Sequence, residues 1–368
     1  MASPPTLRNG KDGIEMNRHT TALEILRSGT VIPAIPLVLD ENRRFDEAGQ
    51  RRLIRYYLAC GVGGVAVAVH TTQFAIRAPE VALFEPVLRV ASEEFDAFEA
   101  RTGRVLVRVA GVCGEAPQAC AEAELARRLG FDAVLLSPGG LDHRSEAELV
   151  DRTRAVADVL PVIGFYLQQA CGGRRLSCEY WQAVADIPQV AAIKCASFNR
   201  YQTIDLVRGV AQSARRKEVA LYTGNDDNIV ADLLTPYCFA IDGKAVELRF
   251  VGGLLGHWSV WTHRVVELYD ELRPYRDGRP IPPKLLARGA AITDCNGAFF
   301  DVAHGFAGCI PGVHEVLRRQ GLMRGTWCLD PAETLSPGQA AEIDRVYRMY
   351  PELNDDAFVA EFLREDAP

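Results

Sequence analysis

The sequence has no long apolar run, no paired-cysteine motif and no stripe of one charge, and each absence excludes something. Its longest apolar stretches, such as "GGVAVAV" from Gly63 to Val69, fall far short of the ~20 residues that span a bilayer, so a membrane helix is not expected. The ten cysteines include no C-x-x-C pair, and Cys60, Cys195 and Cys238 lie in apolar segments. The opening "MASPPTLRNGKDGIEMNRHTT" is polar and lacks the apolar core of a secretory signal. Reduced, mostly buried thiols in a cytoplasmic protein are therefore expected. The net charge of −7 comes from interspersed acids and bases, with no arginine-rich arm, so nucleic acid is not an expected partner. Motifs for whole reaction classes are missing too: no Walker loop, no H-E-x-x-H, no G-x-S-x-G, and no G-x-G-x-x-G between a strand and a helix. His257 and His263, among Trp258 and Trp261, match no metal-ligand spacing and read equally well as core packing. No metal and no cofactor is expected.

What is present is an alternation of short apolar runs and amphipathic stretches. The runs begin near Val31, Gly64, Val105, Ala133, Val162, Ala191, Val219 and Leu248. Between them lie segments such as "FDEAGQRRLIRYYLACG" and "YQTIDLVRGVAQSARR", with apolar residues at helical spacing. A strand-to-strand step of ~30 residues suits βα units, and strands apolar on both faces imply a parallel sheet covered by helices. Eight units favour an α/β fold of the (β/α)8 TIM-barrel type over residues 31–275, with an open doubly wound sheet as the alternative. Residues 1–30 read as an extension with one short helix, "TALEILRSG". Residues 276–368 lack strand signals and read as a C-terminal helical region, where Ser336-Pro337 suggests a helix cap and first turn.

One residue is out of place. "PQVAAIKCASF" reads as a strand buried on both faces, yet carries Lys194 in its middle. An ammonium there costs several kcal/mol, roughly, unless it is paired, hydrated or used. Barrel chemistry sits at the C-terminal ends of strands, and other polar residues gather at those ends. They are His70, Thr71 and Thr72 in "VHTTQF", Tyr166 in "VIGFYLQQ", and Asn225, Asp226 and Asp227 in "YTGNDD". A desolvated lysine could attack a carbonyl to form a Schiff base, and a phenol beside it could shuttle protons. Threonine hydroxyls could hold a substrate carboxylate. Each has a bland counterpart: a rim lysine in an ion pair, a packed tyrosine, hydroxyls capping a turn, acids at a helix start.

Taken in order, these segments resemble the class I pyruvate-dependent aldolases, the dihydrodipicolinate synthase and N-acetylneuraminate lyase family, over most of the chain from about Val31. "GVGGVAVAVHTTQF" resembles that family's threonine segment, "FYLQQ" its tyrosine motif and "AAIKCAS" the segment of its imine-forming lysine. The resemblance implies a TIM barrel, typically in tetramers built from dimers, and a Schiff-base lyase acting on pyruvate or another 2-oxo acid. It makes Lys194 the nucleophile, Tyr166 the proton-transfer phenol, and Thr71 and Thr72 the carboxylate site. His70 stands as an extra acid/base candidate, and Gly253 at the end of strand eight is grouped with the substrate-binding positions.

The departures are as specific. Gly140 stands where dihydrodipicolinate synthase has a tyrosine lent across a dimer interface, and Cys171 about where it has an arginine for its aldehyde's carboxylate; Arg174 lies nearby. The half of the site that selects the second substrate is altered, which points away from lysine biosynthesis toward an aldolase or dehydratase on another 2-oxo acid. Two further readings remain: a 2-oxo-acid binding or sensing barrel that has lost turnover, and a barrel using phosphate or flavin near "GGLLG". The expected assembly is a homo-oligomer, dimer or tetramer.

Overall fold

A computed structural model describes residues 11–366. Eight parallel strands form one sheet: β1 (Val31–Pro33), β2 (Gly64–Val67), β3 (Val107–Val112), β4 (Ala133–Leu136), β5 (Val162–Leu167), β6 (Val190–Ala196), β7 (Ala220–Thr223) and, after an inserted hairpin of β8 (Tyr237–Ile241) and β9 (Lys244–Leu248), β10 (Phe250–Leu255). The order β1-β10-β7-β6-β5-β4-β3-β2 places β1 and β2 at the two ends. A parallel bridge between Ala34 and Ala66, with the Ile35 N–H donating to the Ala66 carbonyl at 3.0 Å, joins those ends. The barrel is closed, and the open sheet is excluded.

The helices are α1 (Lys11–Ser28), α2 (Glu47–Ala59), α3 (Phe84–Thr102), α4 (Ala116–Arg128), α5 (Glu146–Ala157), α6 (Cys178–Ala185), α7 (Arg200–Gln212), α8 (Ile229–Leu234), α9 (Thr262–Leu272), α10 (Pro283–Phe299), α11 (Cys309–Arg319), α12 (Gln339–Met349) and α13 (Asp356–Glu365). Their starts are locally encoded. Asp46, Ser145 and Ser177 accept backbone N–H groups at the heads of α2, α5 and α6, and Glu148 closes a capping box with Ser145.

Side chains alternate across each strand, giving two apolar layers. Ile32, Val109, Leu135, Ile163 and Leu254 fill the barrel, while Val65, Val134, Ile193 and Leu221 pack outward against the helices. α1 is longer than the expected helix and meets the barrel floor. Its Leu26 joins the inner layer and accepts the Tyr222 hydroxyl at 2.8 Å, and Arg18 reaches the buried Asp132 at 2.6 Å.

Two local expectations fail. The run near Leu248 belongs to the hairpin, whose Asp242-Gly243 turn has φ of 48° and 73°, as a two-residue hairpin turn requires, and the last barrel strand begins at Phe250. Ser336 does not cap α12. Gly338 holds the cap position with φ 85°, while the Ser336 hydroxyl donates to Asp301. No helix of the described residues is long and apolar enough to cross a membrane.

Candidate active site

Lys194 owes its place to strand parity. Along β6, Ala192, Lys194 and Ala196 face the barrel interior, and Ile193 and Cys195 face the helices. The alanines on either side leave room for the long side chain. So does Gly224 just past β7, where a Cβ would lie 2.5 Å from Lys194 Cε. The side chain is buried, and its Nζ stands 4.3 Å from the centroid of Phe165, its register partner on β5. Burial lowers the pKa of the amine below the ordinary lysine value; the charges of Asp226 and Cys171 oppose this without hydrogen-bonding to it.

The amine opens on a cavity of ≈70 Å³ at the C-terminal mouth of the barrel. Thr71 and His70 line it on the β2 side, four strands round from Lys194. Asp226 lines it from the β7 end, its Oδ1 accepting the His257 N–H at 2.8 Å. Burial raises the Asp226 carboxyl well above the usual aspartate range; the His257 N–H and Lys194 pull it back only in part. Phe165, Leu135 and Leu167 form apolar wall, and Phe300, Phe306 and Cys309 reach in from the C-terminal helical region. A larger cavity of ≈240 Å³ lies against α9 and α10, with His257 and Trp261 in its wall, but no lysine lines it. Among the described residues no three His, Cys, Asp or Glu side chains converge as a metal ion would need.

Several sequence-derived candidates are corrected by this geometry. Tyr166 does not face the cavity. It sits one residue past Phe165, so it points outward, packs on Trp181 at 5.2 Å between centroids, and accepts the Leu176 N–H at 3.3 Å. The phenol expected beside Lys194 is replaced there by a phenyl ring. His70 does line the cavity, yet burial and the Lys194 charge push its pKa down to about 4, so it is neutral at pH 7 rather than poised there. Thr71 and Thr72 donate their hydroxyls to the Ala34 and Ile35 carbonyls at 2.6 and 2.7 Å, and only Thr71 reaches the cavity.

Gly253 is not a cavity residue. A Cβ there would meet Trp258 at 2.4 Å, and one at Gly252 would meet Thr30 backbone at 2.4 Å, so the first two glycines of "GGLLG" serve close packing and offer no cradle for a phosphate or flavin. Gly256 lines the cavity instead. Arg174 is tied to the Asp142 and Arg144 carbonyls and does not replace the arginine missing at Cys171, which does line the cavity. His263 stacks on Phe358 with 4.1 Å between ring centroids, a packing role. Cys60 and Cys195 are buried as expected, whereas Cys238 is exposed on the hairpin.

Known proteins share both the sequence and the shape. N-acetylneuraminate lyase of Citrobacter koseri is 29% identical over 209 residues, covering 55% of this chain and 65% of that protein. The Escherichia coli lyase is 26% identical over 207 residues with the same coverage. The chain thus spans just under two thirds of the length of these relatives. Among solved structures, dihydrodipicolinate synthase of Oceanobacillus iheyensis superposes with a TM-score of 0.71 at 16% identity, over 91% of this chain and 99% of that one. A prophage protein of Escherichia coli K12, of the dihydrodipicolinic acid synthase family and in complex with pyruvate, gives 0.69 at 18% identity, over 88% and 98%. These likenesses show the barrel fold. The sequence profile of the Dihydrodipicolinate synthetase family matches residues 27–236, more than half of the chain and the part that holds the lysine strand. With that match, the chain belongs to the dihydrodipicolinate synthetase family.

Proposed function

We propose that this protein is a Schiff-base-forming lyase, an aldolase or dehydratase, acting on pyruvate or another 2-oxo acid. The observation that carries the reading is the amine of Lys194, buried, free of a hydrogen-bonding carboxylate and open to a cavity at the barrel mouth. Each unit by which burial lowers its pKa raises the neutral, nucleophilic fraction at pH 7 about tenfold. The neutral amine adds to the keto carbon, and loss of water from the carbinolamine gives the imine. The relatives named N-acetylneuraminate lyase and the pyruvate complex of the prophage protein support this chemistry.

Loss of water and proton movement at the substrate need an acid/base group. Tyr166 is turned away, so we assign that role to Asp226, which lines the same cavity and whose carboxyl burial holds partly protonated. The substrate carboxylate is placed at the β2 end, where the Thr71 hydroxyl would turn from the Ala34 carbonyl to meet it. Thr72 holds the turn. Incubation with pyruvate and borohydride, followed by peptide mass spectrometry, tests the reading. A reduced adduct on Lys194, absent from Lys194→Ala, is expected. No adduct from any 2-oxo acid in a broad panel overturns it.

One observation favours a second reading, a 2-oxo-acid sensing barrel without turnover: Phe165 puts no proton-carrying group beside the amine. That reading requires ligand binding to survive Lys194→Ala. Measured turnover that this substitution abolishes removes it. We further propose a cytoplasmic homo-oligomer, dimer or tetramer, in keeping with ten unpaired cysteines; light scattering on the purified protein would read the assembly directly.

A further inference from the structure

The cavity beyond the amine is built from phenyl rings. Phe165 stands against Lys194, Phe198 follows the end of β6, and Phe300 and Phe306 come from the segment between α10 and α11. Phe198 and Phe306 meet edge to face, with centroids 5.9 Å apart at 87°. Both have left-handed backbones, φ 52° and 72°, which is strained for a bulky side chain. Their placement is nevertheless fixed: the Phe198 N–H donates to Asn225 Oδ1 at 3.0 Å, and the Phe306 N–H to the Asp301 carbonyl at 3.0 Å.

The charges lining the same space are few. Among the described residues the lining holds Lys194, Asp226 and the neutral His70, with no arginine and no second lysine. In the imine the Lys194 nitrogen and its charge are bonded to the keto carbon of the bound pyruvate, so no separate cationic side chain remains to hold a second carboxylate. Arg174 is engaged elsewhere. A carboxylate on the substrate's far half would face phenyl rings and Asp226, losing its hydration with no cationic partner in return and only the neutral Gln168 and His70 to donate. A chain of hydroxyls would find only Gln168, Asp226 and the neutral His70 to bond.

Resting on the lyase reading above, we propose that the non-pyruvate half of the substrate is an uncharged, apolar aldehyde or the equivalent alkyl tail, selected by Phe198, Phe300 and Phe306. The rings of Phe198, Phe300 and Phe306 line the mouth where that tail would lie. In the condensing direction C3 of the imine-bound pyruvate loses a proton to give the enamine. C3 then bonds to the aldehyde carbon, and the aldehyde oxygen takes up a proton. Water releases Lys194 and a 4-hydroxy-2-oxo acid; cleavage is the reverse.

The test is condensation of pyruvate with acetaldehyde, propanal and 2-methylpropanal against glyoxylate, succinic semialdehyde and glyceraldehyde, followed by mass spectrometry. The apolar set is expected to show kcat/KM at least ~100-fold above the charged and hydroxylated set. In Phe306→Arg the ratio of glyoxylate to propanal should rise at least ~10-fold, a carboxylate partner having been supplied. Should that variant fail to fold, Phe306→Ala should lower the same preference for propanal at least ~10-fold. Trapping of pyruvate on Lys194 separates the two ideas. Trapping with succinic semialdehyde or glyceraldehyde leading, or with no apolar aldehyde reacting, overturns the selectivity and leaves the imine standing. No trapping overturns both.

Discussion

Replacing Gly224 with alanine moves the proposed nucleophile without removing it. The new methyl would lie 2.5 Å from Lys194 Cε and 2.8 Å from Ala196 Cβ. Carbon pairs settle near ~3.5–4.0 Å, so the lysine stem must retreat by about 1 Å or β6 and β7 must part. Overpacking of this kind costs about 1–3 kcal/mol of stability. A reacting atom displaced by about 1 Å can lose ~10²-fold in rate. The assay pairs the rate of borohydride trapping with pyruvate and a urea unfolding curve on the same preparation. Gly297→Ala is the control: its methyl meets nothing within 4 Å and sits within α10, where alanine should add about 0.5–1 kcal/mol. A folded Gly224→Ala protein that traps pyruvate as fast as wild type would refute the placement of the lysine against Gly224.

Three further outcomes are expected. Tyr166→Phe should leave trapping unchanged and cost about 1 kcal/mol, because a buried N–H of Leu176 loses its acceptor; a tenfold loss of trapping would restore the phenol to the chemistry. Asp226→Asn removes the charge that holds the Lys194 pKa up, so the pH at which trapping half-rises should move down, and an upward move would contradict the coupling. His314 is wholly buried in α11, which lowers its pKa from 6.5 to about 4. Below pH 6.5 the unfolded chain takes up a proton that the folded one refuses, so stability is lost as pH falls toward 4, by about 2 kcal/mol at pH 5 for one such group. The fall in urea midpoint between pH 7 and pH 5 should be shallower in His314→Gln, and an equal fall would exclude that residue as a source.

The barrel was legible because its strands are apolar on both faces and regularly spaced, which only βα units satisfy. Lys194 was legible as a charge where no charge is tolerated idly. Phe165 and Tyr166 were not separable, since neighbours in a strand face opposite sides and the choice is fixed by pairing Phe165 with Lys194, a tertiary fact. The hairpin does leave a local signal, "YCFAIDGKAVEL", with an Asp-Gly turn between alternating apolar residues. Phe300 and Phe306 left none: their distance from Lys194 in sequence hides the contact, and nothing in "GAFFDVAHGFAG" announces a cavity wall.

That wall has a bearing on how such proteins diverge. The amine of Lys194 lies inside the segment matched by the family profile, residues 27–236, whereas Gly256, Phe300, Phe306 and Cys309 lie beyond it. Of the proposed selector residues, Phe198 lies inside that segment with Lys194, and only Phe300 and Phe306 lie outside it. Grafting another member's tail onto this barrel would exchange Phe300 and Phe306 while leaving Lys194 and Phe198 in place, so under the proposed lyase reading the two ends of the chain would have to co-evolve to hold one partner.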